Sequence, residues 1–231
     1  MILMENGRTA FVTGGAGGLG RATVAAFAAA GWRVVAPVRP GSRASLPDAI
    51  VVEADLADET DITAAMAVAA AEPGAPLRAV VNLAGAYAGS GLVADTPVAE
   101  FERLLALNLR PTYLVTAAAL PHLVAAGGGG IVCVSSRAAV APFAGAAGYV
   151  TAKAAVLAFA GAVAVEYRKQ KVRCNTIVPS VIDTPANRRD MPDADFSRWV
   201  RPAEIAPTIV FLASDDSAPT TGATIPVYGQ A

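Results

Sequence analysis

The sequence predicts a single doubly wound α/β domain with a parallel sheet of about seven strands, and three observations carry the prediction. Short apolar runs recur along the chain, alternating with Ala-rich helical stretches. Those runs are continuous rather than alternating apolar and polar, as expected of strands covered by helices on both faces. The first run passes directly into a glycine-rich turn, a helix and a second strand within about thirty residues.

Residues 9–13 (TAFVT) read as the first buried strand, followed by Gly14-Gly15-Ala16-Gly17-Gly18-Leu19-Gly20. A helix over 21–30 closes at Gly31, a residue suited to the left-handed turn that ends many helices. Strands follow at 32–38 and 50–54, a helix at 59–71, and a strand at 77–83 that runs into Ala84-Gly85. Two helices, 97–109 and 112–126, are split by Arg110-Pro111, and the glycines at 127–130 form a turn before strand 131–134. A long helix over 149–169 precedes strand 172–178. A short helix-and-loop region at 184–199, a helix at 203–214 and a last strand at 224–227 complete the chain. No internal repeat or low-complexity linker divides the 231 residues, which suit one domain with a sizeable core.

Composition narrows the function classes. Apolar residues make up 54% and charged residues 16%, as in a well-buried globular protein, and the net charge of −1 offers no electrostatic case for nucleic acid or an anionic membrane. Cys133 and Cys174 lie in apolar strand-like runs and read as buried thiols. With His122 as the one histidine, no metal cofactor is expected. The N-terminus lacks a basic stretch followed by a long apolar run, so no signal peptide is read. No apolar run is long and uninterrupted enough for a membrane span, and a cytoplasmic protein is the expectation.

The glycine turn points to a nucleotide. Glycines let a backbone approach a pyrophosphate, and the following helix N-terminus presents free N–H groups and a partial positive charge. Gly15, Gly17 and Gly20 satisfy GxGxxG, while Thr13-Gly14, Gly18 and Gly20 satisfy TGxxxGxG. In doubly wound sheets ligands bind beyond the C-terminal strand ends. The polar residues there are Thr13, Asp55, Asn82, Ser135, Ser136 and the loop from Pro179 to Thr184. Singly, each has an ordinary structural use as a helix cap or turn former; their common placement is what suggests a site. Tyr149 and Lys153 stand four apart at the head of the long helix and so share one face. A cation beside a phenol favours the phenolate, which would bring its titration closer to neutral pH.

Together these residues resemble the short-chain dehydrogenase/reductase family. The resemblance spans nearly the whole chain: Thr13-Gly14-x-x-x-Gly18-x-Gly20, Asp55-Leu56, Asn82-x-Ala84-Gly85, Asn108, Ser136, Tyr149-x-x-x-Lys153 and Pro179 to Thr184. It implies a Rossmann-type fold and hydride transfer between a nicotinamide and a small-molecule carbonyl or alcohol substrate. It implies Tyr149 as acid or base, Ser136 on the substrate oxygen, Lys153 on the nicotinamide ribose and lowering the phenol pKa, and Asn108 positioning a water. Gly14, Gly18, Leu19 and Gly20 would cradle the pyrophosphate, Asp55-Leu56 would flank the adenine, and Asn82, Leu83, Ala84 and Gly85 would lie behind the ribose. Ile182 and Thr184 match positions that touch the nicotinamide amide or phosphates. The acidic position that would bind a ribose 2′-OH falls on Val38, with Arg39 next and Arg43 nearby, so NADP(H) is expected over NAD(H). A homodimer or homotetramer is expected, pairing the long helices around Ala117 and Ala160.

Three places depart from the family pattern: Leu83 for a frequent asparagine, Ser180 for the glycine after Pro179, and Val227-Tyr228-Gly229-Gln230 for an Asp-Gly-Gly ending. The segment 185–199, a short substrate lid in this reading, resembles the matching stretch of dihydropteridine reductases. Pteridine reduction is therefore the alternative substrate reading, although that branch generally lacks the serine that Ser136 supplies. A non-catalytic nucleotide sensor is the rival from another class, set against the intact Ser/Tyr/Lys set.

Overall fold

Seven strands form one parallel sheet in the computed structural model, which describes residues 7–89 and 91–230. The first six residues, part of the stretch read for a signal peptide, lie outside the described residues. The strands are β1 (Thr9–Thr13), β2 (Arg33–Val38), β3 (Ile50–Glu53), β4 (Leu77–Asn82), β5 (Gly129–Val134), β6 (Val172–Pro179) and β7 (Thr224–Val227). Their order across the sheet is β3-β2-β1-β4-β5-β6-β7. The order reverses at β1/β4, which opens a crevice at the C-terminal strand ends.

The helices are α1 (Gly18–Ala29), α2 (Glu59–Ala70), α3 (Val98–Asn108), α4 (Arg110–Ala125), α5 (Ala147–Glu166), α6 (Pro185–Asp190) and α7 (Pro202–Ala213). Successive residues of a strand point to opposite faces, and β1 shows the consequence. Phe11 packs into a core with Ile62 and Met66 of α2, Val115 and Leu123 of α4, and Val156 and Val163 of α5. Its neighbours Ala10 and Val12 pack into the other core, with Val24 and Phe27 of α1 and Ile205 and Ile209 of α7. Continuous apolar strands are thereby buried twice. Strand β3 departs from this: as the sheet's edge it leaves Ile50 43% exposed.

Several boundaries differ from the sequence reading for local reasons. Helix α1 starts at Gly18, because Gly18, Leu19 and Gly20 are already its first turn. Strand β5 begins inside the glycine run, since Gly129 and Gly130 pair in register with Val172 and Arg173. A Cβ on Gly130 would stand 2.6 Å from the Ala213 carbonyl oxygen, so the missing side chain lets the end of α7 lie on the strand. Helix α5 stops at Glu166, followed by a 3₁₀ turn at Arg168–Gln170 and Lys171 in a left-handed conformation (φ 59°). By length and composition α5 could cross a membrane, which the sequence reading had not expected of any segment. Here Val156, Ala160, Val163 and Ala164 belong to the core shared with α2, α4 and the sheet, and Lys153 lies buried in the same helix. Cys133 and Cys174 are free, buried thiols.

Candidate functional site

The glycine turn is built around Thr13, at the end of β1. Its hydroxyl donates to the Val81 carbonyl (3.3 Å) and accepts from the Leu83 and Ala84 N–H groups (3.1 and 3.2 Å), tying the ends of β1 and β4 together. Gly14 follows with φ 66°, and a Cβ there would meet Ala84 N at 3.1 Å. Gly20 is tighter: its Cβ would overlap the Gly14 carbonyl oxygen and lie 2.7 Å from Gly15 Cα. The turn therefore closes directly onto the first turn of α1, whose N-cap Gly17 offers no side-chain cap and whose first turn holds no acidic residue. Such an N-terminus suits an anion, and the glycines suit close backbone approach. The residues fit a dinucleotide pyrophosphate.

Thr184 joins this turn from the loop after β6, as the N-cap of α6. Its hydroxyl accepts from Asn187 N–H (3.2 Å) as the cap of α6, and its methyl lies 2.5 Å from where a Cβ on Gly18 would stand. The preceding loop is pinned where Asn187 Nδ2 donates to the Ile182 carbonyl (2.8 Å) and Asp183 N–H to the Val200 carbonyl (2.8 Å). Pro179 and Ile182 thus lead to one side of the crevice, with Thr184 against the glycine turn. Arg39 is exposed directly after buried Val38 at the end of β2. Asp55 is exposed at the end of β3, where its carboxylate accepts from Ala57 N–H (2.9 Å), while Leu56 is half-buried against the core.

Asn82 behaves differently from its sequence expectation. Its amide donates to Thr116 Oγ1 (3.0 Å) and approaches Cys133 Sγ (3.7 Å), so the side chain turns inward beneath α4. The crevice side of this strand end is backbone, at Ala84 and Gly85.

The reacting groups converge over β4 and β5. Gly148 in α5 is buried, and a Cβ on it would lie 2.9 Å from Leu104 Cδ1, so its absence allows α3 and α5 to meet closely. That contact brings Asn108, the last residue of α3, next to Gly85 and Lys153. Asn108 Oδ1 accepts from Ala86 N–H (3.1 Å), and its Nδ2 donates to the Ala86 and Leu104 carbonyls (both 3.0 Å). A Cβ on Gly85 would stand 2.7 Å from Asn108 Oδ1 and 3.2 Å from Lys153 Nζ. Lys153 is 6% exposed, donates to the Val134 carbonyl (3.1 Å), and places Nζ 5.9 Å from the Tyr149 ring centroid. Ser136 opens a 3₁₀ turn, its hydroxyl accepting from Ala138 N–H (3.2 Å), and it stands close enough to the Tyr149 phenol to influence its titration.

Electrostatics corrects one expectation. Burial raises the Tyr149 phenol above its ordinary value; Ser136 opposes the rise and nearby Tyr87 adds to it. The phenol is not drawn down in the free chain: Nζ faces the Val134 carbonyl, and burial is the largest influence on Tyr149. Burial likewise lowers Lys153, to about 8, against a small opposing effect of Cys133.

The Lys153 shift has a consequence for stability. A lysine that titrates at about 8 when folded and near 10.5 when unfolded costs stability on the order of 3 kcal/mol wherever both states are protonated. Between those two values the unfolded chain holds more protons, so stability rises with pH. Lys153→Met removes this cost and loses the Val134 hydrogen bond, worth about 1 kcal/mol. The nucleotide-free variant should melt a few degrees higher than wild type at pH 7, with the difference shrinking toward pH 10. Thermal denaturation across pH checks this; equal melting temperatures at pH 7 would show that Lys153 carries no buried charge.

Tyr87 and Phe143 were not singled out from sequence, although both rings lie at the site. The Tyr87 ring stands edge-on to Tyr149 at 5.2 Å and 90°, and Phe143 lies 6.2 Å beyond it. Their signal was available: each is a lone aromatic in a loop of small residues that follows a strand end.

Known proteins resemble this chain in sequence and fold. The family model described as short chain dehydrogenase matches residues 8–195. The chain is 34% identical to the 2-(R)-hydroxypropyl-CoM dehydrogenase of Xanthobacter autotrophicus, over 96% of this chain and 97% of that one. It is 35% identical to the cis-4-hydroxycyclohexanecarboxylate dehydrogenase of Sinomonas cyclohexanicum, over 96% and 95%. Among solved structures, a short-chain type dehydrogenase/reductase from Mycobacterium ulcerans superposes with a TM-score of 0.88 at 27% identity, covering 96% of this chain and 89% of that one. The chain belongs to the short-chain dehydrogenase/reductase family, oxidoreductases that use a nicotinamide cofactor.

Proposed function

We propose that this oxidoreductase interconverts a small carbonyl compound and its alcohol, with Tyr149 moving the proton. The observation that carries the reading is the Tyr149 phenol, close enough to Ser136 for the serine to oppose its upward shift and one helical turn from buried Lys153, at the ligand edge of the sheet. A bound nicotinamide supplies or accepts the hydride. As hydride reaches a carbonyl carbon, charge develops on oxygen, where the Ser136 and Tyr149 hydroxyls can donate to it. Burial keeps the phenol protonated at neutral pH, the state a proton donor needs in reduction; in oxidation the same oxygen takes the alcohol proton. Lys153 would supply a cation beneath the site, and Asn108, fixed through Ala86, would hold a water near Lys153. The relatives named for a hydroxypropyl and a hydroxycyclohexane compound support an alcohol or carbonyl substrate. Gly14, Gly18, Leu19 and Gly20 would hold the pyrophosphate, Asp55 and Leu56 the adenine, the Ala84-Gly85 backbone the ribose, and Ile182 and Thr184 the nicotinamide end, with the segment 185–199 acting as a lid.

The nucleotide expected is NADP(H), because β2 ends without a carboxylate and Arg39 is free to meet a 2′-phosphate. The same reading includes a homodimer or homotetramer packed across α4 and α5, whose outer groove exposes Tyr113 and is lined by Phe159, Val163 and Tyr167. Turnover against ketones, 3-oxoacyl thioesters and a quinonoid dihydropterin, each with NADPH and NADH, tests substrate class and cofactor together. Turnover of a ketone with NADPH is expected, and Arg39→Ala should weaken NADPH binding roughly tenfold while sparing NADH. A clear NADH preference would overturn the cofactor assignment, selective pterin turnover the substrate class, and a monomer in light scattering of the same sample the assembly.

A further inference from the structure

Beside Tyr149 lie described residues of two segments distant in sequence, 86–89 and 91–92 after β4 and 137–146 after β5. They meet through glycines. A Cβ on Gly89 would lie 3.2 Å from the Tyr87 hydroxyl and 3.7 Å from the Gly145 carbonyl oxygen, so Gly89 leaves the room that the Tyr87 ring occupies. That ring contacts Tyr149 edge-on, and Phe143 extends the aromatic surface from the second loop. Tyr87 is 59% and Phe143 52% exposed, and neither belongs to the two hydrophobic cores. Val140 and Leu92, in the same two segments, are also more than half exposed. Exposed rings next to a reactive hydroxyl do little for the fold and suit an apolar ligand. The surrounding residues are mostly alanine and glycine, and the one charged side chain in these loops, Arg137, is held over the Tyr228 ring.

We propose that Tyr87 and Phe143 form an aromatic wall that takes the ring of a cyclic ketone or cyclic secondary alcohol whose oxygen reaches Tyr149 and Ser136. The wall makes these two residues determinants of specificity, selecting alicyclic or aryl substrates over short acyclic ones. This rests on Tyr149 and Ser136 being the reacting groups, and the test separates the two ideas. Binding of cyclohexanone and of 2-butanone to the NADPH complex is measured by ligand-observed NMR, alongside KM and kcat for both, in wild type, Tyr87→Ala, Phe143→Ala and Tyr87→Phe. Each alanine variant should raise Kd and KM for cyclohexanone on the order of tenfold and change those for 2-butanone less than about threefold. Tyr87→Phe should keep the wild-type preference. Since both rings stand outside the cores, the variants should melt within a few degrees of wild type. Undiminished cyclohexanone binding in both alanine variants, equal losses for the two ketones, or no cyclohexanone binding by wild type would overturn the wall. Ring-selective binding that depends on Tyr87 and Phe143, without turnover of either ketone, would uphold the wall and remove the proposed chemistry.

Discussion

Replacing Tyr149 by phenylalanine is expected to reduce turnover roughly 10²–10⁴-fold, the range for losing a positioned acid or base, while nucleotide affinity stays near wild type. The substitution deletes one oxygen. The ring contacts with Tyr87 and the packing at the head of α5 are retained, so the loss would report proton transfer rather than folding. Ser136 would remain to donate to the substrate oxygen, which is why some activity over background should survive. The upward shift of the phenol adds a pH signature. Alcohol oxidation needs the phenolate and should speed up as pH rises through the alkaline range; carbonyl reduction needs the phenol and should hold at neutral pH. In the Tyr149→Phe variant the alkaline rise in oxidation should disappear. Steady-state rates in both directions across pH, paired with a nucleotide fluorescence titration, check all of this. Near-wild-type turnover with an unchanged pH profile would take Tyr149 out of the chemistry.

The second large effect is expected at Gly20. An alanine there would drive its Cβ into the Gly14 carbonyl oxygen and against Gly15 Cα, both backbone, so no side-chain rotation relieves the clash. The turn would have to open or α1 would have to move away from it. Overpacking of this kind costs roughly 1–3 kcal/mol, a fall in melting temperature of several degrees for a chain of this size. The larger consequence is for ligand binding. Thr13 ties the turn to β4, and α1 presents its N-terminus from a fixed position; an opened turn spoils both. Nucleotide affinity should fall tenfold or more, since displaced N–H donors lose most of a charge-assisted contact. Titration with NADPH and thermal denaturation measure the two effects separately. Unchanged affinity would mean that the pyrophosphate is held elsewhere.

Much of the architecture was legible because it rests on local signals. Strand runs, the glycine turn and Gly31 each encode backbone geometry within a few residues, and all seven strands lie where the apolar runs placed them. The misplaced boundaries have local causes of a subtler kind. Gly18 and Gly20 read as turn but belong to a helix, and Gly129 and Gly130 read as turn but are strand residues kept bare for α7. Edge exposure of β3 depends on sheet order, which its own sequence does not carry.

By itself, the sequence determined that Tyr149, Lys153 and Ser136 lie near one another at the C-terminal edge of the sheet. Positions four apart on a helix must share a face, and polar residues ending parallel strands must gather at one edge, so Tyr149, Lys153 and Ser136 were bound to meet. Tertiary structure decided what that meeting does. Burial set the sign of the Tyr149 shift and brought Lys153 down to about 8. Packing under α4 turned Asn82 away from the crevice, and Gly148 let α3 deliver Asn108 beside Lys153. Tyr87 and Phe143, 56 positions apart in the chain, came together because the segments after β4 and β5 approach each other at Gly89 and Gly145. Spacing along one element fixes direction; desolvation and contact between elements exist only once the chain has folded.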